Sequence, residues 1–459
     1  MAASCTQPLR GEPRRDRSAD RRPRLNQLVA EQRPDDDPTS YRGAPQQEQK
    51  GRGRDMTLFT HKPIETVAEA QRRAQRLLPK DVYTALQAGS DSGATMRANL
   101  TAFEEVGLIP RVGVELPSEL ELKTTFMGQP IDLPVVIAPA AAQAMHPDGE
   151  VGVARAARRA GTAIGLSNFA SMPVEDVTAA NPNTFAHVYL SGDRDTIAGR
   201  VERFRRAGVK GLIFTMDLSG GRVAQQPRDW GSPVYPDGLN LLSALKYAPM
   251  AIANPTWILR YIRRGVVPGL NAPNMTTKDG RVPTLVGGLY EWVATHNPTW
   301  DDMAWLSDLW GGPFMIKGLV TPDDARRAID AGATAIGVSN HGGNNLDTTP
   351  SPLRFLPAVV DAVGDQTEIV FDSGIRRGTD VVKALALGAQ SVMIGRPWFY
   401  GLSADGERGV FEVLHTFKTT IERALVGLGK SSIHDLDASD VVIPSGFLIE
   451  QGVRRERVK

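Results

Sequence analysis

From residue 135 onward the chain alternates regularly. Short runs rich in Val, Ile, Leu and Thr each lead into a polar or glycine-bearing turn and then an amphipathic stretch rich in Ala and Arg. Eight such runs occur: Val135–Ala140, Thr162–Ser167, Thr184–Tyr189, Gly211–Asp217, Pro313–Lys317, Ala335–Asn340, Glu368–Asp372 and Ser391–Gly395. Short apolar runs alternating with helical stretches predict parallel strands joined by crossover helices. Doubly wound sheets alternate too but seldom need eight units, whereas eight close a barrel. The expected fold class is therefore α/β, a (β/α)8 TIM barrel. Local signals agree: Thr321-Pro322 supplies a cap and a first-turn proline for a helix beginning at Asp323.

One interval breaks the rhythm. About 95 residues separate Asp217 from Pro313 where the other intervals take about 20 to 25, which places an insertion at about residues 219–305. It leaves the C-terminal end of a strand, so it should cover the mouth where barrel enzymes do chemistry, as a lid or substrate wall. Leu241–Tyr247 and Trp257–Ile262 read as helical, interrupted by Pro249 and Pro255. Tyr235, Trp257 and Tyr290 are candidates to line a pocket, although core packing is the simpler role for each. Apolar residues beside Arg260, Arg263 and Arg264 would also suit a membrane surface, a reading that ranks below the wall.

Residues 1–55 mix Arg14-Arg15-Asp16-Arg17 and Asp35-Asp36-Asp37 with Pro and Gln and few large apolar side chains. Such a stretch cannot offset its ordering entropy and is expected to be a disordered extension ahead of a barrel domain at 56–459, with Met56 a candidate start. The 459 residues carry 53 Lys+Arg against 52 Asp+Glu, a formal charge of +1. That balance argues against nucleic acid as a partner. The single cysteine, Cys5, excludes a disulfide framework and suits a reducing compartment. With no secretory apolar core and no membrane-length apolar run, a cytoplasmic location is expected.

Polar residues at strand ends of a barrel face the active site. Here those ends carry Ser167, Asn168, His187, Tyr189, Thr215, Asp217, Lys317, Ser339, His341, Asp372 and Arg396. Converging charges are costly to bury without a use. The seventh and eighth runs end in Asp372-Ser373-Gly374-Ile375-Arg376-Arg377-Gly378 and Ile394-Gly395-Arg396-Pro397. Glycine backbone amides plus arginines, at the place where barrels commonly seat phosphate, point to a phosphate-bearing cofactor. His341, followed by Gly342-Gly343, is the candidate acid–base group, with Asp217 to orient it. Lys317 would place fixed charge beside a developing anion, or serve as a Schiff-base lysine. No metal site is expected.

Taken in order, Leu78-Pro79-Lys80, His146-Pro147-Asp148-Gly149-Glu150, Ile316-Lys317-Gly318, Ser339-Asn340-His341-Gly342-Gly343 and Arg376-Arg377-Gly378-Thr379-Asp380-Val381 resemble the FMN-dependent 2-hydroxy-acid oxidase/dehydrogenase family. The resemblance runs from about Leu78 to Phe447. It implies FMN as cofactor, His341 as active-site base with Asp217, Lys317 beside the flavin N1/O2 region, and Tyr189 facing substrate. It also implies flavin and ribityl contacts from Ala140, Ala141, Ser167, Thr215 and Ser339. The ribityl and phosphate site falls on Asp372, Ser373, Gly374, Arg376, Gly395 and Arg396. His187 replaces a flavin-contacting glutamine.

Departures from the pattern carry as much as the matches. Asn344 stands where the family has the arginine that grips a substrate carboxylate, and Ala85 where it has a tyrosine for the same group. The second arginine is displaced, with Arg222 or Arg228 available to rebuild the clamp. A buried carboxylate without its cation costs about 3–5 kcal/mol. A lactate-like substrate is thus disfavoured. The segments Arg228–Pro233, Asn344–Asp347 and Gly427–Leu436 resemble the branch that oxidatively deaminates an amino-lactam from a Val-Tyr end during maturation of the redox cofactor mycofactocin. That resemblance implies a small peptide-derived substrate, a keto-amide product, ammonia, and oxygen or another electron acceptor. Asn344 would read the substrate amide as donor and acceptor. A homo-oligomer is the expected assembly. The rival readings are a 2-hydroxy-acid dehydrogenase and a noncatalytic flavin-binding protein.

Overall fold

Eight parallel strands close into a barrel in the computed structural model, which describes residues 62–449 apart from 88, 218–227, 230–247 and 278. They are β1 (Val135–Ala140), β2 (Ile164–Leu166), β3 (Thr184–Val188), β4 (Leu212–Thr215), β5 (Phe314–Leu319), β6 (Ala335–Val338), β7 (Glu368–Phe371) and β8 (Ser391–Ile394). β8 returns to β1 through Val392↔Val135, Met393↔Val136 and Ile394↔Ile137. Every predicted run is a strand, its ends displaced by a residue or two.

The period of two along each strand sorts the side chains. Val135 and Ile137, Leu212 and Phe214, Phe314 and Ile316 pack outward into the apolar layer shared with the helices. Their neighbours Val136, Ala138, Phe185, Ile213, Met315, Ala335, Val370 and Met393 form a separate cluster inside the barrel. A hairpin, Thr124–Phe126 paired with Gln129–Ile131, closes the floor, and Phe126 meets Phe185 edge-on at 4.8 Å. Each large apolar side chain so buried contributes about 1.5–3 kcal/mol. Counting upward by twos from these inner positions reaches Ala140, Ser167, His187, Tyr189, Thr215, Asp217, Lys317, Ser339, Asp372 and Gly395.

The helix Pro322–Asp330 begins as its sequence requires, Thr321 Oγ1 accepting the Asp324 N–H at 3.1 Å. Pro255, read as an interruption, instead occupies the first turn of the helix Pro255–Arg264, where its missing N–H is no loss. The helix Trp300–Trp310, opened by a Thr299/Asp302 capping box, is the ordinary crossover into β5, so the insertion ends before residue 300 rather than at 305. The segment Leu241–Tyr247, Arg222, Tyr235, the extension 1–55 and Met56 lie outside the described residues.

What is described of the insertion is moored by buried polar groups. Asn168 Nδ2 donates to the Asn274 carbonyl at 3.0 Å, while Asn274 Oδ1 accepts the Val174 N–H at 2.9 Å. Arg200, 2% exposed, donates to the Ser191 and Thr276 carbonyls. These bonds favour one geometry, because breaking them would strand further buried donors.

A second long-range tie fixes the loop after β6. The helix Ala94–Glu105 has Gly93 at its N-cap and no side-chain cap there. Asp347 replaces it from a distant part of the chain, accepting from Thr95 N–H at 2.8 Å, Ala94 N–H at 3.2 Å and the Ser92 hydroxyl at 2.9 Å. Burial alone would raise the Asp347 pKa, but donors from Thr95, Ser92, Thr348 and Ala94 overcome it and hold the carboxyl well below its usual range. A lowered folded-state pKa contributes stability above the unfolded value, lost as pH falls through the folded one. Asp347→Asn should therefore cost about 1–2 kcal/mol in urea unfolding at pH 7. The difference from the parent chain should shrink as the medium is acidified below about pH 4.

Candidate active site

At the mouth, three strand ends meet through one hydroxyl. Ser339 Oγ accepts from Lys317 Nζ at 2.8 Å and from the His341 N–H at 3.0 Å, and donates to Asp372 Oδ1 at 2.6 Å. Lys317 Nζ also pairs with Asp372 Oδ2 at 2.9 Å. Burial pushes the Asp372 pKa up, yet the Lys317 charge and the bonds from Ser339, Lys317 and Ser373 outweigh it and hold the carboxyl low. Ser373 Oγ donates to Asp372 Oδ1 at 2.7 Å and accepts the Gly342 N–H at 3.0 Å. The turn carrying His341 is thus bolted to β7.

His341 adopts φ 57°, an uncommon left-handed conformation for a side-chain-bearing residue. The turn aims Nδ1 at Asp217 Oδ1, 3.2 Å away. With the carboxylate as acceptor, Nδ1 carries the hydrogen and Nε2 keeps its lone pair for a substrate proton. Gly318 makes this approach possible: at φ +96° it passes so close that a Cβ would lie 2.6 Å from Asp217 Cγ. Beside the pair, His187 Nε2 bonds Thr215 Oγ1 at 2.8 Å. Burial drives the His187 pKa far down and the His341 and Lys317 charges push the same way, so its ring is neutral.

The seventh and eighth strand ends form a basic concavity. Arg376 and Arg396 are surrounded by protein yet remain partly open to solvent. Arg396 donates to the Gln87 and Gly342 carbonyls at 2.7 and 3.0 Å, and burial, Arg376 and Arg228 push its pKa down to about 10. Mutually repelling guanidiniums held together this way favour an anion between them. A Cβ on Gly395 would meet nothing within 4 Å, so there is room. His187 Nδ1 and Asp217 Oδ2 are buried with no hydrogen-bond partner among the described residues. Free space, cations and orphaned polar atoms along the inner rim fit a phosphate-bearing ring cofactor such as FMN.

Above His187 stands an aromatic wall. Tyr189 lies 4.2 Å from the His187 ring, 5.3 Å from Phe169 and 4.9 Å from Trp292, centroid to centroid. Burial, reinforced by Asp217, raises the Tyr189 pKa, so the phenol stays protonated. Trp292 comes from the insertion helix Leu285–Val293, and the sequence reading missed it. The signal was there: Leu285, Gly288, Leu289 and Trp292 share one helical face, opposite Tyr290.

Other expectations are corrected. Tyr290 is 64% exposed and points away from the mouth's apolar cluster. Trp257 is core packing: it is buried, donates Nε1 to the Ala144 carbonyl at 2.9 Å, and packs edge-on against Tyr261. Asn344 Oδ1 already accepts the Gly89 N–H at 3.1 Å, which occupies one of its two acceptor sites and leaves Nδ2 as a donor. Its neighbour Asn345, buried with both amide atoms unbonded among the described residues, was overlooked. Ala85 sits half-buried on the helix Lys80–Gln87 and offers only a methyl group. Arg228 bridges to Asp91 and is felt by Arg396.

Comparison with known proteins gives a consistent result. The family model for FMN-dependent dehydrogenase matches residues 74–443. Pre-mycofactocin synthase from Mycobacterium tuberculosis is 51% identical over 394 residues, 86% of this chain and 98% of that protein. L-lactate oxidase from Nostoc sp. is 36% identical, covering 81% and 96%. Among solved structures, a mandelate oxidase variant with arginine replaced by leucine, holding 2-hydroxy-phenylacetamide, superposes with a TM-score of 0.64. It is 30% identical and covers 81% of this chain and 96% of that one. With its barrel, its His341–Asp217 pair and its basic concavity at the seventh and eighth strand ends, this chain belongs to the FMN-dependent dehydrogenase family and is an FMN-dependent oxidoreductase.

Proposed function

We propose that the chain is an oxidative deaminase of the pre-mycofactocin synthase type. It would convert the amine-bearing carbon of a Val-Tyr-derived amino-lactam into a ketone beside the ring amide. The observation that carries this reading is an intact base pair, His341 and Asp217, beside a His-Gly-Gly turn followed by a neutral side chain. Asn344 commits one acceptor site of Oδ1 to the Gly89 N–H and has Nδ2 to donate. A carboxylate arriving there would find no fixed cation from this turn, whereas an amide carbonyl needs only a donor. The mandelate oxidase variant offers a parallel: it lacks an arginine and carries an amide in place of an acid.

Residue roles follow from the geometry. FMN, when bound, supplies the two-electron acceptor and returns the electrons to oxygen as hydrogen peroxide. Ala140, Ala141, Ser167, Thr215 and Ser339 would line its ring and ribityl chain, with Asp372, Ser373, Gly374, Arg376, Gly395 and Arg396 at the chain and phosphate. Lys317, its charge fixed by Asp372 and Ser339, would hold negative charge on the ring edge nearest it. His341 Nε2 takes the amine proton as hydride leaves carbon, and Asp217 stabilises the resulting imidazolium. Water adds to the imine so formed and ammonia departs, leaving the keto-amide. Phe169, Tyr189 and Trp292 bound the pocket with flat apolar faces suited to a phenol ring.

Anaerobic mixing of the FMN-loaded protein with candidate substrates tests this directly. The amino-lactam should bleach the flavin band; bleaching by lactate and not by the lactam would replace this reading with a 2-hydroxy-acid oxidase. His341→Ala should slow bleaching by about a hundredfold or more while FMN stays bound. Unchanged bleaching would remove His341 from the chemistry. Trp292→Ala should raise KM for the lactam by about tenfold with a smaller change in kcat, as expected for lost uniform binding. An unchanged KM would show the ring sits elsewhere.

A further inference from the structure

Outside the barrel mouth, both ends of the helix Gly149–Arg159, the helix Pro255–Arg264 and the break in the helix Arg396–Leu428 border an open cavity of about 490 Å³. No step of the chemistry above uses it. Five guanidiniums line it, those of Arg159, Arg260, Arg263, Arg264 and Arg408. The carboxylates in the lining are three, and each is already engaged. Asp148 pairs with Arg264 at 2.9 Å and accepts the Glu407 N–H at 3.0 Å. Asp405 pairs with Arg408, and Glu407 reaches outside the cavity to Arg155 at 2.6 Å.

Three cations are therefore left over. Arg260 is the most enclosed and spends Nη1 and Nη2 on the Ser403 and Ala404 carbonyls at 2.7 and 2.8 Å. Carbonyl dipoles orient this guanidinium, and although burial lowers its pKa, the nearby Asp405 and Asp148 carboxylates partly offset its charge. Arg159 lies 3.7 Å over the Phe411 ring, and Arg263 makes no ion pair among the described residues. Arg260 is half-buried and the other four arginines are exposed at the rim, so surplus charge of one sign gathers around a single hollow and is relieved by a multivalent anion.

The floor is shaped for this. The long helix breaks at Asp405 and Gly406, where Gly406 takes φ 61° and ψ −142°. No side chain fits: a Cβ there would stand 2.2 Å from Asp148 Oδ2 and 2.6 Å from His146 Cε1. His146 Nδ1 accepts the Asp148 N–H at 3.1 Å, which leaves its ring hydrogen on Nε2. Burial, against the pull of Asp148, pushes the His146 pKa down to about 4, so the ring adds a donor and no charge.

We propose that this cavity is a second anion site, separate from the flavin cradle, that takes a phosphate group through Arg260, Arg263 and Arg159. Guanidinium forks match phosphate oxygens two at a time, and a site of this volume admits a phosphomonoester or a lipid headgroup as readily as the free ion.

The test uses the FMN-loaded full chain, so that the flavin cradle is filled. Inorganic phosphate is titrated by calorimetry at ionic strength held constant with chloride. Saturable binding is expected, weakened about tenfold by Arg260→Gln and by Arg263→Glu, each removing one charge-assisted contact. Arg263 is exposed, so its reversal leaves the fold intact. A parallel arm sediments the protein with phosphatidylglycerol vesicles. Retention that Arg263→Glu abolishes, without a response to free phosphate, would place the phosphate on a lipid headgroup. Equal binding by parent and both variants, or no response in either arm, overturns the proposal.

Discussion

Parallel strands closed into a barrel drive every second side chain into a space just wide enough to be filled. Inside, Phe185, Ile213, Met315, Val370 and Met393 leave no room for anything polar. One pleat higher on the same faces, the apolar packing ends and the same arithmetic delivers His187, Thr215, Lys317, Asp372 and Gly395 to the floor of the mouth. Each chemical side chain stands on a strand whose lower positions are fixed by core packing. It therefore needs little ordering when a substrate arrives.

That placement forces an electrostatic problem that the site solves locally. Lys317 and Asp372 are both nearly inaccessible, 4% and 6% exposed, and an isolated charge there would be prohibitively costly. They neutralise each other, and Ser339 threads the pair to the backbone of His341. The turn bearing the base is therefore held by the same network that keeps the lysine charged. His187, packed alongside, responds to the same positive field by staying neutral. Of the two rings, His341 is the one with a carboxylate partner, and on the proposed reading the acid–base work falls to it.

Specificity is divided from chemistry. The base, the lysine and the cradle come from strand ends, whereas Trp292 comes from the insertion and reaches the mouth because Asn168, Asn274 and Arg200 moor that segment with buried hydrogen bonds. A family can exchange such a wall without touching the reacting groups. The turn after His341 shows the same separation: Asn344 and Asp347 no longer grip a charge but tie the loop to Gly89 and to the helix Ala94–Glu105.

Eight strands, the inward parity of their ends, the gathering of glycines and arginines at the seventh and eighth ends, and the pairing of His341 with Asp217 were all legible in the order of residues. Each depends on a period or a motif that local geometry enforces. What the chain order could not supply was which partner a side chain finds across a long separation. Asn344 looked free until Gly89 N–H, 255 positions away, took one acceptor site of its oxygen. For Trp257 core packing was the simpler reading, and the Ala144 carbonyl that takes its indole bears it out. The basic hollow beneath the helix Pro255–Arg264 draws its arginines and carboxylates from three separated stretches. Periodicity is a property of neighbours along the backbone and is written in the sequence. Hydrogen-bond satisfaction and charge balance are properties of neighbours in space, and only the folded chain decides them.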